Sequence, residues 1–193
     1  MQLQHVNVRL LVKDPEHADL EPLIPVFHNW IQSRVFGAEL LLDIADYRHV
    51  PAGPGVILIG YEGDYSVDNS GNRLGIRYNR KAVLDGSNQD RLRQAARTAL
   101  IACQRLEAEP LLNGKLRFNG QEMELFFNDR LLVPNHQATR DAVRPDLETF
   151  FQKLFHGIQY SLSYDSDPRK LFAVSVKASR AFPVAELLAN LDS

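Results

Sequence analysis

Residues 39–68 read ELLLDIADYRHVPAGPGVILIGYEGDYSVD. Two short apolar runs, Leu40–Ile44 and Val56–Ile59, lie on either side of a corner built from Pro51, Gly53, Pro54 and Gly55. Each run is too short for a helix and is bounded by polar or turn residues, so each predicts a strand. Neither alternates cleanly, which predicts strands covered on both faces, as at the centre of a sheet. Pro54 cannot donate to a ladder, so the residues between the runs form a loop of special backbone geometry. The ionisable residues Asp43, Asp46, His49, Glu62, Asp64 and Asp68 then fall at strand ends or in that loop. Scaffolds often present chemistry at such positions.

Outward from this core, residues 5–12 (HVNVRLLV) alternate, with Val6, Val8, Leu10 and Val12 on one face of a strand. Leu20, Leu23, Ile24, Phe27, Trp30 and Ile31 recur at helical spacing and predict a first helix over 20–34. Tyr65–Val67 and Leu74–Tyr78 flank DNSGN and predict a hairpin. Ser87 followed by Asp90 resembles a capping box, opening a helix to about residue 108 with Leu92, Ala95, Ala96, Ala99, Leu100, Cys103 and Leu106 as its apolar stripe. Its opposite face, with Arg91, Arg93, Arg97 and Arg105, reads as solvated. Asn119-Gly120 between Leu116–Phe118 and Glu122–Phe127 predicts a type I′ hairpin. A third helix spans 139–156, with Pro145 marking its first turn or a kink. A last hairpin, 158–164 with 172–176, precedes a short helix or tail over 183–191.

The fold class expected is α+β: two layers, with helices packed on a mainly antiparallel sheet. Helix-and-hairpin order in both halves suggests a diverged internal duplication within a single domain of residues 1–193, with a possible subdomain boundary at 80–87. The hydrophobic share of 45% and charged share of 24% suit an ordinary globular protein. A formal net charge of −2 sets up no field for nucleic acid, so none is expected as a partner. No run of about 18 apolar residues occurs, so no membrane is expected either. One cysteine and an N-terminus without a basic-then-apolar leader predict a cytoplasmic protein.

The stretch 46–60, DYRHVPAGPGVILIG, resembles small uncharacterised bacterial proteins, a likeness that extends over residues 39–79. It implies no activity, cofactor or site residue. The residues themselves offer two functional readings. In one, Asp46, His49, Glu62 and Tyr65 converge as a catalytic or metal-binding group, with Asp43 and Arg48 binding ligand or orienting it. Asp46 or Glu62 serves there as base or ligand, and His49 as proton shuttle or ligand. The blander reading of the same residues is strand-end charge facing water, plus one hydrogen-bonded Asp43. In the other, favoured because no catalytic motif is present, the chain is a non-catalytic binding or assembly protein. It is then homo-oligomeric or engages a protein partner through sheet edges and surface aromatics such as Tyr160 and Tyr164. No cofactor is expected. PAGPG lacks the phosphate-loop spacing and its lysine, and Gly60, Gly63 and Gly71 match no dinucleotide fingerprint. Cys103 lies on a buried stripe, where a thiol is inert packing.

Overall fold

The strand that begins the fold also forms its centre. In the computed structural model, which describes residues 1–193, strand β1 (Val6–Val12) is buried along its whole length. Its even residues face the helices, and Asn7, Arg9 and Leu11 face the other way. Around it run β2 (Leu41–Tyr47), β3 (Gly55–Gly60), β4 (Gly63–Asp68), β5 (Gly75–Arg80), β6 (Phe118–Phe127), β7 (Tyr160–Tyr164) and β8 (Phe172–Ala178). They form one eight-stranded sheet in the order β2-β3-β4-β5-β1-β6-β8-β7, with every neighbouring pair antiparallel.

Four helices cover one face: α1 (Leu23–Gln32), α2 (Asn88–Ala108), α3 (Gln137–Leu154) and α4 (Val184–Asp192). The architecture is therefore α+β. α1 lies against β2 and β3, α2 against β1 and β5, and α4 among α2, α3 and β6. Phe151 and Phe155 at the end of α3 pack on Tyr160 of β7. One cluster of 45 buried residues draws on the chain from Leu3 to Leu191. No helix is long and apolar enough to cross a membrane.

The capping box forms as its spacing predicts. Ser87 Oγ accepts from the Asp90 amide, and the Asp90 carboxylate accepts from the Ser87 amide. Cys103 is fully buried, and desolvation pushes its thiol pKa well up. Four expectations are corrected. β2 is an edge strand, not a central one: only β3 flanks it, and Leu42 and Asp43 are exposed at a bulge where its register shifts. The apolar run there reflects packing of Leu41 and Ile44 on α1, while Leu42 faces solvent.

Asn119-Gly120 is not a hairpin turn. Residues 118–127 are one strand, both of whose halves pair with β1. Between Leu10 and Val12, β1 advances two residues while β6 advances five, from Met123 to Phe118, so the Asn-Gly segment bulges out of a continuous ladder. The bulge is held by Asn119 Oδ1, which accepts from the Gln121 amide at 3.0 Å, and by contact of Gly120 with the backbone of residue 182.

Arg91 leaves the solvated face assigned to it. It is buried and donates to the Leu84 carbonyl at 2.8 Å and to Asn88 Oδ1 at 3.2 Å. Pro145 sits in mid-helix rather than in the first turn of α3.

Candidate functional site

The residues singled out around the Pro/Gly corner do not meet. Asp46 pairs across the ladder with Val56, whereas Glu62 lies beyond Gly60 at the other end of the same hairpin. At about 3.3 Å per residue they are roughly 15–20 Å apart. Asp46 is engaged by Arg48, whose Nε and Nη2 donate at 2.9 and 2.8 Å and whose amide donates at 3.0 Å. These bonds hold the Asp46 pKa at about 2, so it is a fixed carboxylate rather than a proton acceptor near neutrality. Arg48 also reaches Glu21 at 2.9 Å. His49 is exposed beside the Tyr47 ring. Asp43 is exposed and accepts from the amide of its neighbour Ile44 at 2.8 Å. Glu62 pairs with Arg80 at 2.9 Å. No three His, Cys, Asp or Glu side chains are grouped to hold a metal ion.

Tyr65 points to the helix side, where it is fully buried and donates its phenol proton to Glu39. Desolvation raises the Glu39 pKa, against the opposing effect of the Tyr65 hydrogen bond. Burial and the Glu39 charge raise that of Tyr65. An acid whose folded pKa is raised keeps its proton longer in the folded state. Its ionisation therefore lowers stability as pH climbs from the ordinary carboxylate value of 4.5 towards the raised one. Glu39→Gln removes the charge and keeps an acceptor for Tyr65. Urea midpoints measured from pH 4 to 8 should show the variant gaining on the wild type as pH rises. A constant difference across that range would contradict the raised pKa.

The face away from the helices carries a different constellation. Asn7 and Arg9 of β1 lie opposite Asn79 and Arg77 of β5. β4 adds Asp64 beside Asn79 and Ser66 beside Arg77. Two guanidinium groups directly opposite one another repel. Asp68, 1% exposed, separates them: its Oδ1 is 3.3 Å from Arg9 Nη1 and its Oδ2 is 3.3 Å from Arg77 Nε. Arg9, 3% exposed, also pairs with Glu124 at 3.0 Å and donates to the carbonyls of Ser70 and Arg73 at 3.1 and 3.0 Å. Desolvation lowers its pKa, with Glu124 and Asp68 opposing, and a guanidinium remains charged throughout. Arg73, Glu122 and Lys177 extend the network towards β8.

These residues were missed in the sequence, yet a signal was there. Asn7-Val8-Arg9 and Arg77-Tyr78-Asn79 are mirror images, and antiparallel pairing superposes like on like. The Pro/Gly corner closes one end of this face. Gly55 has φ +64°, and a Cβ there would lie 1.9 Å from the Val67 carbonyl oxygen, so the corner approaches β4 as only glycine allows. Ala52 and Gly53 line cavities on both sides of the sheet, one among Leu20, Val50 and Leu74, the other on the open face.

The two edges of the sheet differ. At β2, Leu42 and Tyr47 are exposed, but the Asp43 carboxylate occupies the Ile44 amide, and a bulge breaks the register. Charge and bulge are the usual guards against edge pairing. At β7, the sequence YSLSY has no charge and no bulge, and no side chain accepts from its amides. Comparison with protein-family models and with curated proteins finds no match for the chain.

Proposed function

We propose that the chain is a non-catalytic assembly protein that forms a two-fold dimer by pairing β7 with the same strand of a second copy. The observation that carries this reading is the unguarded, self-complementary edge. Tyr160-Ser161-Leu162-Ser163-Tyr164 reads the same in both directions. An antiparallel pair centred on Leu162 sets tyrosine opposite tyrosine on the helix side and serine opposite serine on the open side. Such cross-strand aromatic pairs each add about 0.2–1 kcal/mol.

Arg144 and Glu148 of α3 lie close enough to bear on the Tyr164 phenol, so the helix beside this edge offers both signs of charge to a second copy. A closed two-fold interface consumes the edge and stops growth. Five paired residues with a flanking helix bury less than a standard interface of about 1,600 Å², so the expected dissociation constant is about micromolar. The same reading keeps the reducing, cytoplasmic setting expected from a lone cysteine, here buried.

Light scattering on size-exclusion fractions tests the dimer. Twice the chain mass is expected at high micromolar loading, with dissociation on dilution. Ser161→Lys/Ser163→Lys places like charges across the two-fold and should leave a monomer, whereas Leu42→Lys on β2 should not. Amide exchange of β7 in the wild type gives a second readout, with protection that rises with protein concentration. A wild-type chain that stays monomeric at the highest loading, with concentration-independent β7 exchange, removes the proposal.

A further inference from the structure

The open face of the sheet holds a cavity of about 340 Å³ where the Pro/Gly corner meets β4, β5 and β1. Its unpaired polar groups are donors. Asn7 of β1 and Asn79 of β5 stand opposite one another and turn their amide oxygens inward, where neither is accessible. Each therefore shows its amide nitrogen to the cavity, and no group in the protein accepts from either nitrogen. Asn7 is only 5% exposed, so its free donor is a buried group aimed into an open space. Arg77 completes the set. It leaves β5 two residues before Asn79, about 6.8 Å away. Its guanidinium carbon lies 4.5 Å from the centre of the Phe126 ring, and Phe126 stands opposite Asn7, so the head group is carried back into the asparagine row. Nε is tied to Asp68 at 3.3 Å, while no hydrogen bond within the protein engages the two terminal nitrogens. A guanidinium with its plane fixed and its fork free matches a carboxylate.

Charge sets the valence of the ligand. The linked ion pairs of this face hold four cations, Arg9, Arg73, Arg77 and Lys177, and three carboxylates, Asp68, Glu122 and Glu124. Asp64, also in the lining, is matched by Lys81 at 2.7 Å. One positive charge is left over, and the fork of Arg77 is where the cavity meets it. From these unpaired donors gathered round one surplus charge, we infer that the cavity binds a small monocarboxylate with a short aliphatic tail. The carboxylate lies on the Arg77 fork and accepts from the amide nitrogens of Asn7 and Asn79. A dianion would bring a second negative charge towards Asp64 and Asp68 with no cation left to balance it. Ala52, Pro54, Ile57 and Leu171 supply the apolar wall against which the tail packs.

Isovalerate is the probe. Isovaleramide has its shape without the charge, acetate lacks the tail, and inorganic sulfate carries two charges and no tail. Side-chain amide and guanidinium shifts of isotopically labelled protein are followed during titration at neutral pH and constant ionic strength. Isovalerate should give saturable shifts at Asn7, Arg77 and Asn79, with isovaleramide and sulfate each at least about tenfold weaker and acetate at least about threefold weaker. Asn79→Asp keeps the size of the side chain but replaces its donor with a charged acceptor. It should weaken isovalerate by at least about tenfold, as should Arg77→Gln, while Arg97→Gln on the outer surface of α2 should leave binding unchanged. Isovaleramide, sulfate or acetate binding as tightly as isovalerate would overturn the assignment. So would the absence of any shift with isovalerate at about 50 mM, a concentration that reveals even millimolar binding. These readouts use the wild-type protein and hold whether or not the variants fold.

Discussion

Replacing Arg9 by methionine should destabilise the protein by about 3–5 kcal/mol, the usual cost of removing one partner from a buried ion network. The guanidinium sits at the middle of the central strand and is almost inaccessible. It engages Asp68, Glu124 and two carbonyls of the 69–73 loop. Methionine fills much of the volume but leaves Glu124 facing one fewer cation, and the loop loses two donors. For a urea slope of about 2 kcal/mol/M, the midpoint falls by roughly 1.5–2.5 M. The single variants Arg9→Met and Asp68→Asn should also be non-additive, because the two side chains touch. A double-mutant cycle should return a coupling above about 0.5 kcal/mol. A loss under about 1 kcal/mol for Arg9→Met would mean that the network contributes little and that the face is held by its hydrogen-bonded ladder alone.

Gly120→Ala separates a bulge from a turn. A Cβ at residue 120 would stand 2.1 Å from the Phe182 carbonyl oxygen and 3.3 Å from Leu187 Cδ1, so the start of α4 must move to admit it. Overpacking of this kind costs about 1–3 kcal/mol and sometimes more, and the backbone on the other side cannot step aside as a side chain does. We expect at least about 3 kcal/mol in urea unfolding, with loss of amide protection in α4 before the sheet. Were Asn119-Gly120 the exposed turn of a hairpin, the same change would cost about 1 kcal/mol or less, and Gly120→Asn would be milder still.

How far the chain discloses its fold follows from the range of the forces involved. The Ser87–Asp90 cap is made by residues three apart, and the alternation of Val6, Val8, Leu10 and Val12 reports a burial pattern along one strand. Both are local, and both were readable. Asn119-Gly120 was readable as a turn because its local chemistry is that of a turn. Its role is decided by β1, more than a hundred residues earlier, and by residue 182. Leu40–Ile44 looked like a central strand because apolar content alone does not tell whether a neighbour arrives on the second side.

The acidic and histidine residues of 43–68 read as a group only because they are close in sequence. A strand carries its ends apart, and β3 separates Asp46, opposite its start, from Glu62, just past its end. The residues that do converge, Asn7, Arg77 and Asn79, are about seventy positions apart. Only the mirrored Asn-x-Arg and Arg-x-Asn patterns link them, and those become meaningful once β1 and β5 are known to pair.

The position of β1 bears on how the chain is made. Residues 6–12 leave the ribosome before both of their neighbours, residues 75–80 and 118–127. Until residue 80 has emerged, therefore, an apolar ribbon waits with both sides unpaired. Residues 41–68 meanwhile supply three strands that can pair among themselves as soon as they emerge. The meander forms early, and the sheet closes only when β6 arrives to trap the first strand between the two halves. Between the emergence of residue 80 and that of residue 127, VNVRLLV can be paired on one side only, which is when an exposed strand edge is most open to mispairing.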